Sequence, residues 1–169
     1  MVTPAMSELT ELIPLPDVWT SMSAVERRLL EVSTSEHDQL TDIAQHLLKA
    51  GGKRYRPLLA ILAGQFGTVS DHRPIEAGVA VELIHVGSLY HDDVIDESDT
   101  RRGATSVNAN WTNTVAILAG DFLMARASET AATHLNLDSV RLLAATYAEL
   151  VEGQTRELAL DFDVNHGLE

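Results

Sequence analysis

The run IEAGVAVELIHVGSLYHDDVID, residues 75–96, decides how this chain folds. Its apolar side chains Ile75, Val79, Val81, Leu83, Ile84, Val86 and Leu89 fall on most sides of a helical projection rather than along one stripe. A helix of that kind is central and buried. Asp71-His72-Arg73-Pro74 precedes it, offering a capping side chain and a proline for the first turn. The run closes on Asp92, Asp93 and Asp96. Residues four apart share a helix face, so Asp92 and Asp96 stand one turn above each other. Asp93 lies roughly 100° round from Asp92, near enough to add a ligand on the same flank. Like charges at that spacing repel by about 0.2–0.5 kcal/mol per pair, and burial disfavours their charged form further. A divalent cation removes both objections. Mg²⁺ suits the donors, because it takes oxygen ligands and joins one or two carboxylates to substrate phosphates. Standing alone, the same acids would be a solvated helix end, so their neighbours decide the reading.

Upstream, Val25, Leu29, Leu30, Val32, Leu40, Ile43, Ala44, Leu47 and Leu48 recur at helical spacing between Ala24 and Ala50. A break is expected at Ser33–Glu36, where Ser or Thr followed by Glu resembles a helix start. Gly51-Gly52 stops the helix, and Pro57 suits the first turn of the next one, expected over Arg56–Phe66. Residues 1–23, holding three of the five prolines, read as a lead-in, and 24–169 as the domain proper. Downstream, Glu97–Thr105 is polar and reads as a loop, followed by helices over about Thr112–His134 and Asp138–Leu160. Alternation of period two is nowhere sustained, and there is no internal repeat. The predicted fold class is all-α, with Trp19 and Trp111 as structural residues.

Composition narrows the function. The 169 residues carry 25 acidic and 12 basic side chains, a formal net charge of −13. Such a chain repels nucleic acid and anionic membranes. With no cysteine, disulfides and thiolate metal sites are excluded. Met1–Ser21 lacks the basic and then apolar pattern of a secretory signal. No uninterrupted apolar stretch reaches membrane length, so a soluble, cytoplasmic protein is expected.

The scarce cations are concentrated. Lys53, Arg54, Arg56, Arg101 and Arg102 supply five of the 12, in Gly51-Gly52-Lys53-Arg54-Tyr55-Arg56-Pro57 and Asp99-Thr100-Arg101-Arg102-Gly103. A basic cluster opening a helix adds backbone N–H groups and the helix dipole, which together suit a diphosphate. Arginine offers forked donors to phosphate oxygens and lysine a point charge. A carboxylate–metal site beside cation-only sites points to two anionic substrates, one held through metal and the other through cations alone.

These residues resemble the trans-prenyl diphosphate synthases of the polyprenyl synthetase family. The resemblance runs in order through Gly51–Pro57, Glu82-Leu83-Ile84-His85, His91–Asp96, Asp99–Gly103, Leu118-Ala119-Gly120-Asp121-Phe122-Leu123 and Gly153-Gln154. It implies the isoprenoid synthase helical bundle, incomplete here on its C-terminal side. It implies that Asp92, Asp93 and Asp96 bind Mg²⁺, two or three ions per complete site, bridging an allylic diphosphate that Arg101 contacts. It also implies that Lys53, Arg56, His85 and Arg102 hold isopentenyl diphosphate and that Gln154 lies near the allylic substrate. Asp92, Asp93, Asp96 and Arg101 would be the catalytic set. His91 reads equally well as a hydrogen-bonded core residue, and Gln154 and Asp121 each also read as buried polar residues satisfied within the bundle.

In this family the residues just ahead of the first aspartate line the tunnel for the growing chain. Gly87 and Ser88, one turn behind Asp92, would leave that tunnel open. A medium- or long-chain all-trans product, of the kind that serves quinone side chains, is the expectation. The family's second aspartate-rich motif does not occur in these 169 residues. The chain therefore reads as truncated before it and inactive alone. A homodimer is expected, or else a non-catalytic or partner-dependent subunit of a heteromeric synthase.

Overall fold

The computed structural model of the chain describes residues 9–67 and 71–160. The described residues include eight helices and one small hairpin. Helix α1 spans Pro16–Val32, α2 Asp38–Ala44, α3 His46–Lys49, α4 Tyr55–Gly64 and α5 Arg73–Ile95. Strands β1 (Thr100–Arg101) and β2 (Ala104–Thr105) follow, then α6 Val107–Asn110, α7 Asn113–His134 and α8 Leu137–Leu160. The all-α expectation holds. The polar stretch after Asp96, expected to be a loop, forms an antiparallel hairpin in which Thr100 faces Thr105 and Arg101 faces Ala104. Its two turn residues, Arg102 and Gly103, both sit at positive φ. That is the geometry whose twist suits a two-residue hairpin turn. Strands two residues long show no alternation, which is why the pattern was silent.

Helix α5 is the axis of the bundle, as its all-round apolar sequence predicts. His72 holds the N-cap position without a side-chain capping bond, and just before it Asp71 Oδ1 accepts the backbone N–H of Arg73 at 2.9 Å. Val79, Leu83, Val86 and Tyr90 are fully buried, and α7, α4 and α1 pack around them. The lead-in expected over 1–23 is in part helix: α1 begins at Pro16, and Val18 and Met22 belong to the core. Proline at its first turn starts the helix rather than preventing it. The break after Val32 is present, although the next helix starts at Asp38. Ser35 Oγ accepts from the His37 N–H at 3.1 Å, and the Ser35 N–H donates to Thr41 Oγ1 at 2.8 Å. Both tryptophans have structural partners: Trp19 Nε1 donates to the Ile13 carbonyl at 2.9 Å, and Trp111 meets the His46 ring edge-on.

Two packing details position the site. Tyr90, near the end of α5, donates its hydroxyl to the Ile43 carbonyl at 2.7 Å, tying α5 to the end of α2. Where α5 crosses α7, Gly87 and Gly120 face each other. A Cβ on Gly120 would stand 3.1 Å from the Gly87 carbonyl and closer still to the His91 ring. Helix α8 differs from the rest. None of its residues is buried, and Leu142, Leu150, Val151 and Leu158 are exposed. Among the described residues no helix is long and apolar enough to cross a membrane.

Candidate active site

Two adjoining clefts, of about 490 and 470 Å³, open between α5 and α8. Ser88, Asp92, Tyr147 and Leu150 line both. The first continues to Arg56 and His85 past apolar walls that include Leu59, Ile84 and Leu143. The second continues to His91, Asp121 and Gln154 past Ile95, Ile117 and Leu158. Acid, cation and apolar wall thus share one concave surface, the arrangement expected of a small-molecule site.

The structure divides the three aspartates that the sequence groups together. Asp92 faces the clefts, half-buried, and burial first, then the nearby Asp96, pushes its carboxyl above the usual range. Asp96 is exposed at the end of α5. Asp93 points the other way: its side chain is fully buried, and its Oδ1 accepts from Arg101 Nε at 2.7 Å and Nη2 at 2.6 Å. The reason is helical geometry, since a step of roughly 100° carries Asp93 off the cleft face. Among the described residues no three His, Asp or Glu side chains converge as a metal cage. The donor chemistry nevertheless fits a hard dication. Asp92 and Asp96 are carboxylates one helical turn apart, and the repulsion from Asp96 that helps raise the Asp92 carboxyl is what a bound dication would relieve. Mg²⁺ characteristically binds through one or two such groups and completes its shell with water and phosphate.

The basic residues also divide. Lys53 and Arg56 are exposed on either side of Arg54, and Arg56 reaches the first cleft. Arg54, in contrast, is 3% exposed and committed to Glu26, Glu82 and the Leu48 carbonyl. Arg102 is mostly buried, donating to the carbonyls of Gly51 and Leu47. His85 sits amid these cations. Burial, and then Arg56, Arg102, Arg54 and Arg101, pushes its imidazole down to about 4, so it is neutral at physiological pH. A neutral imidazole can still donate one hydrogen bond to an anion.

Gly87 and Ser88 separate in the same way as Asp92 and Asp93. Ser88 lines both clefts. Gly87 is buried against α7, where an added Cβ would stand 3.0 Å from the Gly120 carbonyl and from Met124 Cε. Gly87 lines neither cleft, and a glycine there allows the close crossing of α5 and α7. His91 is pinned beside it, with Nε2 3.2 Å from the Ile117 carbonyl and 3.4 Å from Asp121 Oδ1. Both neighbours are acceptors, so Nε2 carries the hydrogen. Asp121 is exposed rather than buried within the bundle.

Sequence reasoning overlooked Tyr147 and gave no role to Glu82. Tyr147 stands two turns before Gln154 on α8, and both face the second cleft. That spacing of seven was the available signal. Burial, then Asp121 and Asp92, raises its phenol above the ordinary value, so it remains a neutral donor. Glu82 is an acid flanked by Val81 and Leu83 in the middle of the central helix, and buried acids at such positions have partners.

The polyprenyl synthetase family pattern matches residues 37–168. The nonaprenyl diphosphate synthase of Mycobacterium tuberculosis is 48% identical over 132 residues, 77% of this chain and 39% of that protein. The heptaprenyl diphosphate synthase component 2 of Geobacillus stearothermophilus is 42% identical over 137 residues, 81% of this chain and 43% of that protein. The crystal structure of a polyprenyl synthase from Caulobacter crescentus, complexed with calcium and isoprenyl diphosphate, superposes with a TM-score of 0.87 at 30% identity. That match covers 99% of this chain and 49% of the other. The chain therefore spans about two fifths to one half of the length of these three relatives.

Proposed function

The chain belongs to the polyprenyl synthetase family, and on that premise we propose that it forms the diphosphate-binding half of a trans-prenyl diphosphate synthase. The reaction is condensation of isopentenyl diphosphate with an allylic diphosphate, giving a medium- or long-chain all-trans product for quinone side chains. One observation carries the reading: a single apolar-walled cleft is lined by Arg56 and His85 at one end and Asp92 at the other.

In this reading Lys53, Arg56 and the neutral His85 hold the diphosphate of isopentenyl diphosphate through cations and donors alone. Asp92 and Asp96 would hold Mg²⁺, which when bound neutralises charge on the allylic diphosphate as it leaves. Arg101, fixed by Asp93, presents its remaining guanidinium N–H groups to that same diphosphate. The allylic C–O bond breaks and the terminal alkene carbon of isopentenyl diphosphate attacks the allylic carbon. This leaves the positive charge on the tertiary carbon of the former alkene, and loss of a proton from the CH2 on its diphosphate side, to the released diphosphate, forms the new double bond. No side chain acts as a nucleophile. The chain contributes orientation, electrostatic stabilisation and apolar walls that keep water from the carbocation.

Because α8 has no buried residue, the clefts are open on that side, and the chain by itself is expected to bind substrates without turnover. The test is equilibrium binding of isopentenyl diphosphate and of a non-ionisable allylic thiodiphosphate, with Mg²⁺ and with EDTA. Allylic binding should need Mg²⁺ and be lost in Asp92→Asn, whereas isopentenyl diphosphate binding should survive EDTA and be lost in Arg56→Met. Equal metal dependence of the two ligands refutes the assignment.

A second reading concerns assembly. The Geobacillus relative is named component 2 of its synthase, and here α8 exposes Leu142, Leu150, Val151 and Leu158. We infer a partner-dependent subunit or a homodimer. Sedimentation of the chain separates these: a dimer supports the second, and a monomer that gains activity only with another subunit supports the first.

A further inference from the structure

Beneath the cationic end of the first cleft lies a charged network that the proposed reaction does not use. Glu82, about one helical turn ahead of His85, is 2% exposed. Its Oε1 accepts from Arg54 Nη1 at 3.0 Å, and Arg102 Nη2 lies 3.6 Å from the same oxygen. Arg54 also donates to Glu26 Oε1 at 2.7 Å and to the Leu48 carbonyl at 2.8 Å. Arg102 donates to the carbonyls of Gly51 and Leu47. Two guanidinium groups thus close over the carbonyls at the end of α3 and its following turn, with one buried carboxylate between them. Arg54 holds a left-handed backbone, φ 47°, immediately after Lys53 and two residues before Arg56. A non-glycine residue keeps that conformation only where its surroundings impose it.

We propose that Glu82 is a positioning residue for diphosphate recognition: by locking Arg54 and Arg102 it fixes residues 51–56, so that Lys53 and Arg56 confront the ligand together with His85. Glu82 itself touches no substrate. The inference rests on the diphosphate reading given above.

The sign of its effect separates positioning from simple electrostatics. A buried negative charge close to an anion site opposes anion binding by Coulomb's law. Removing it should therefore tighten binding unless the charge holds the cations in place. The experiment titrates the chain with inorganic diphosphate and with isopentenyl diphosphate by calorimetry, at temperatures where circular dichroism shows each variant folded. Glu82→Gln should weaken both ligands about tenfold, the worth of a lost charge-assisted hydrogen bond. Glu26→Gln removes the half-exposed anchor of Arg54 without uncovering the core, and should weaken binding about threefold, as befits a partly exposed pair. Unchanged or tighter binding by folded Glu82→Gln overturns the proposal. If Glu82→Gln does not fold, Glu26→Gln decides, and wild-type affinity in that variant overturns it. Arg56→Met is the control on the site itself. If it binds as the wild type does, the diphosphate reading fails, and with it this inference.

Discussion

Alanine at two glycines should act in opposite directions, because one glycine is a contact and the other is not. Gly120 on α7 is buried, and a Cβ there would overlap the His91 ring and stand 3.1 Å from the Gly87 carbonyl. The backbone of α5 cannot yield without opening the crossing, so the imidazole must turn away. Overpacking of this kind costs about 1–3 kcal/mol. Turning His91 also loses its contact with the Ile117 carbonyl, about 0.5–1.5 kcal/mol. The total, about 1.5–4.5 kcal/mol, corresponds to a fall in Tm of about 3–18 °C for a chain of this size. Gly153 lies within α8 with nothing within 4 Å of its Cβ position. Alanine there should stabilise by about 1 kcal/mol through helix propensity. Urea and thermal unfolding followed by circular dichroism measure both variants. Because His91 lines the second cleft, Gly120→Ala should also disturb allylic diphosphate binding, whereas Gly153→Ala leaves the α5–α7 crossing intact. If Gly120→Ala is as stable as the wild type, the close approach of α5 and α7 is refuted.

Other variants probe the remaining divisions within the site. Arg101→Met strands the buried Asp93 carboxylate and should cost about 3 kcal/mol by urea denaturation. Adding Asp93→Asn should recover much of that, and additive losses would contradict the pairing. The His85 pKa of about 4 lies below the ordinary 6.5, so between these values the folded chain binds fewer protons than the unfolded one. Its contribution is fully present above pH 6.5 and lost as pH falls towards 4. A His85→Asn variant should flatten the fall in urea midpoint over that window, and an unaltered pH profile would count against this burial. Ser88→Phe should fill the space shared by the two clefts and shorten the product of the assembled enzyme, read by chromatography of the prenyl chains. An unchanged product length would show that Ser88 does not bound the tunnel.

Much of the architecture was legible because it follows from local rules. The apolar girth of residues 75–89 requires a central helix, and Gly51-Gly52 and Asp71–Pro74 mark ends that glycine and proline geometry dictate. The pairing of Asp92 with Asp96, and the clustering of cations ahead of α4 and in the hairpin turn, likewise needed only spacing and charge. Such features live within one or two helical turns, where sequence separation is spatial separation. What the spacing could not reveal was which neighbour faces what. Asp92 and Asp93 are adjacent, as are Gly87 and Ser88, yet in each pair one residue lines a cleft and the other is buried against another element. Arg54 lies among cations of identical appearance but spends its donors on Glu26, Glu82 and a carbonyl. These choices depend on how α5 is rotated against α7 and the hairpin. That rotation is set by the close Gly87–Gly120 crossing and the buried Arg101–Asp93 pair, contacts between residues far apart or on separate elements. Helix periodicity by itself determined that acids, cations and apolar walls exist; only tertiary packing decided which of them meet at one surface.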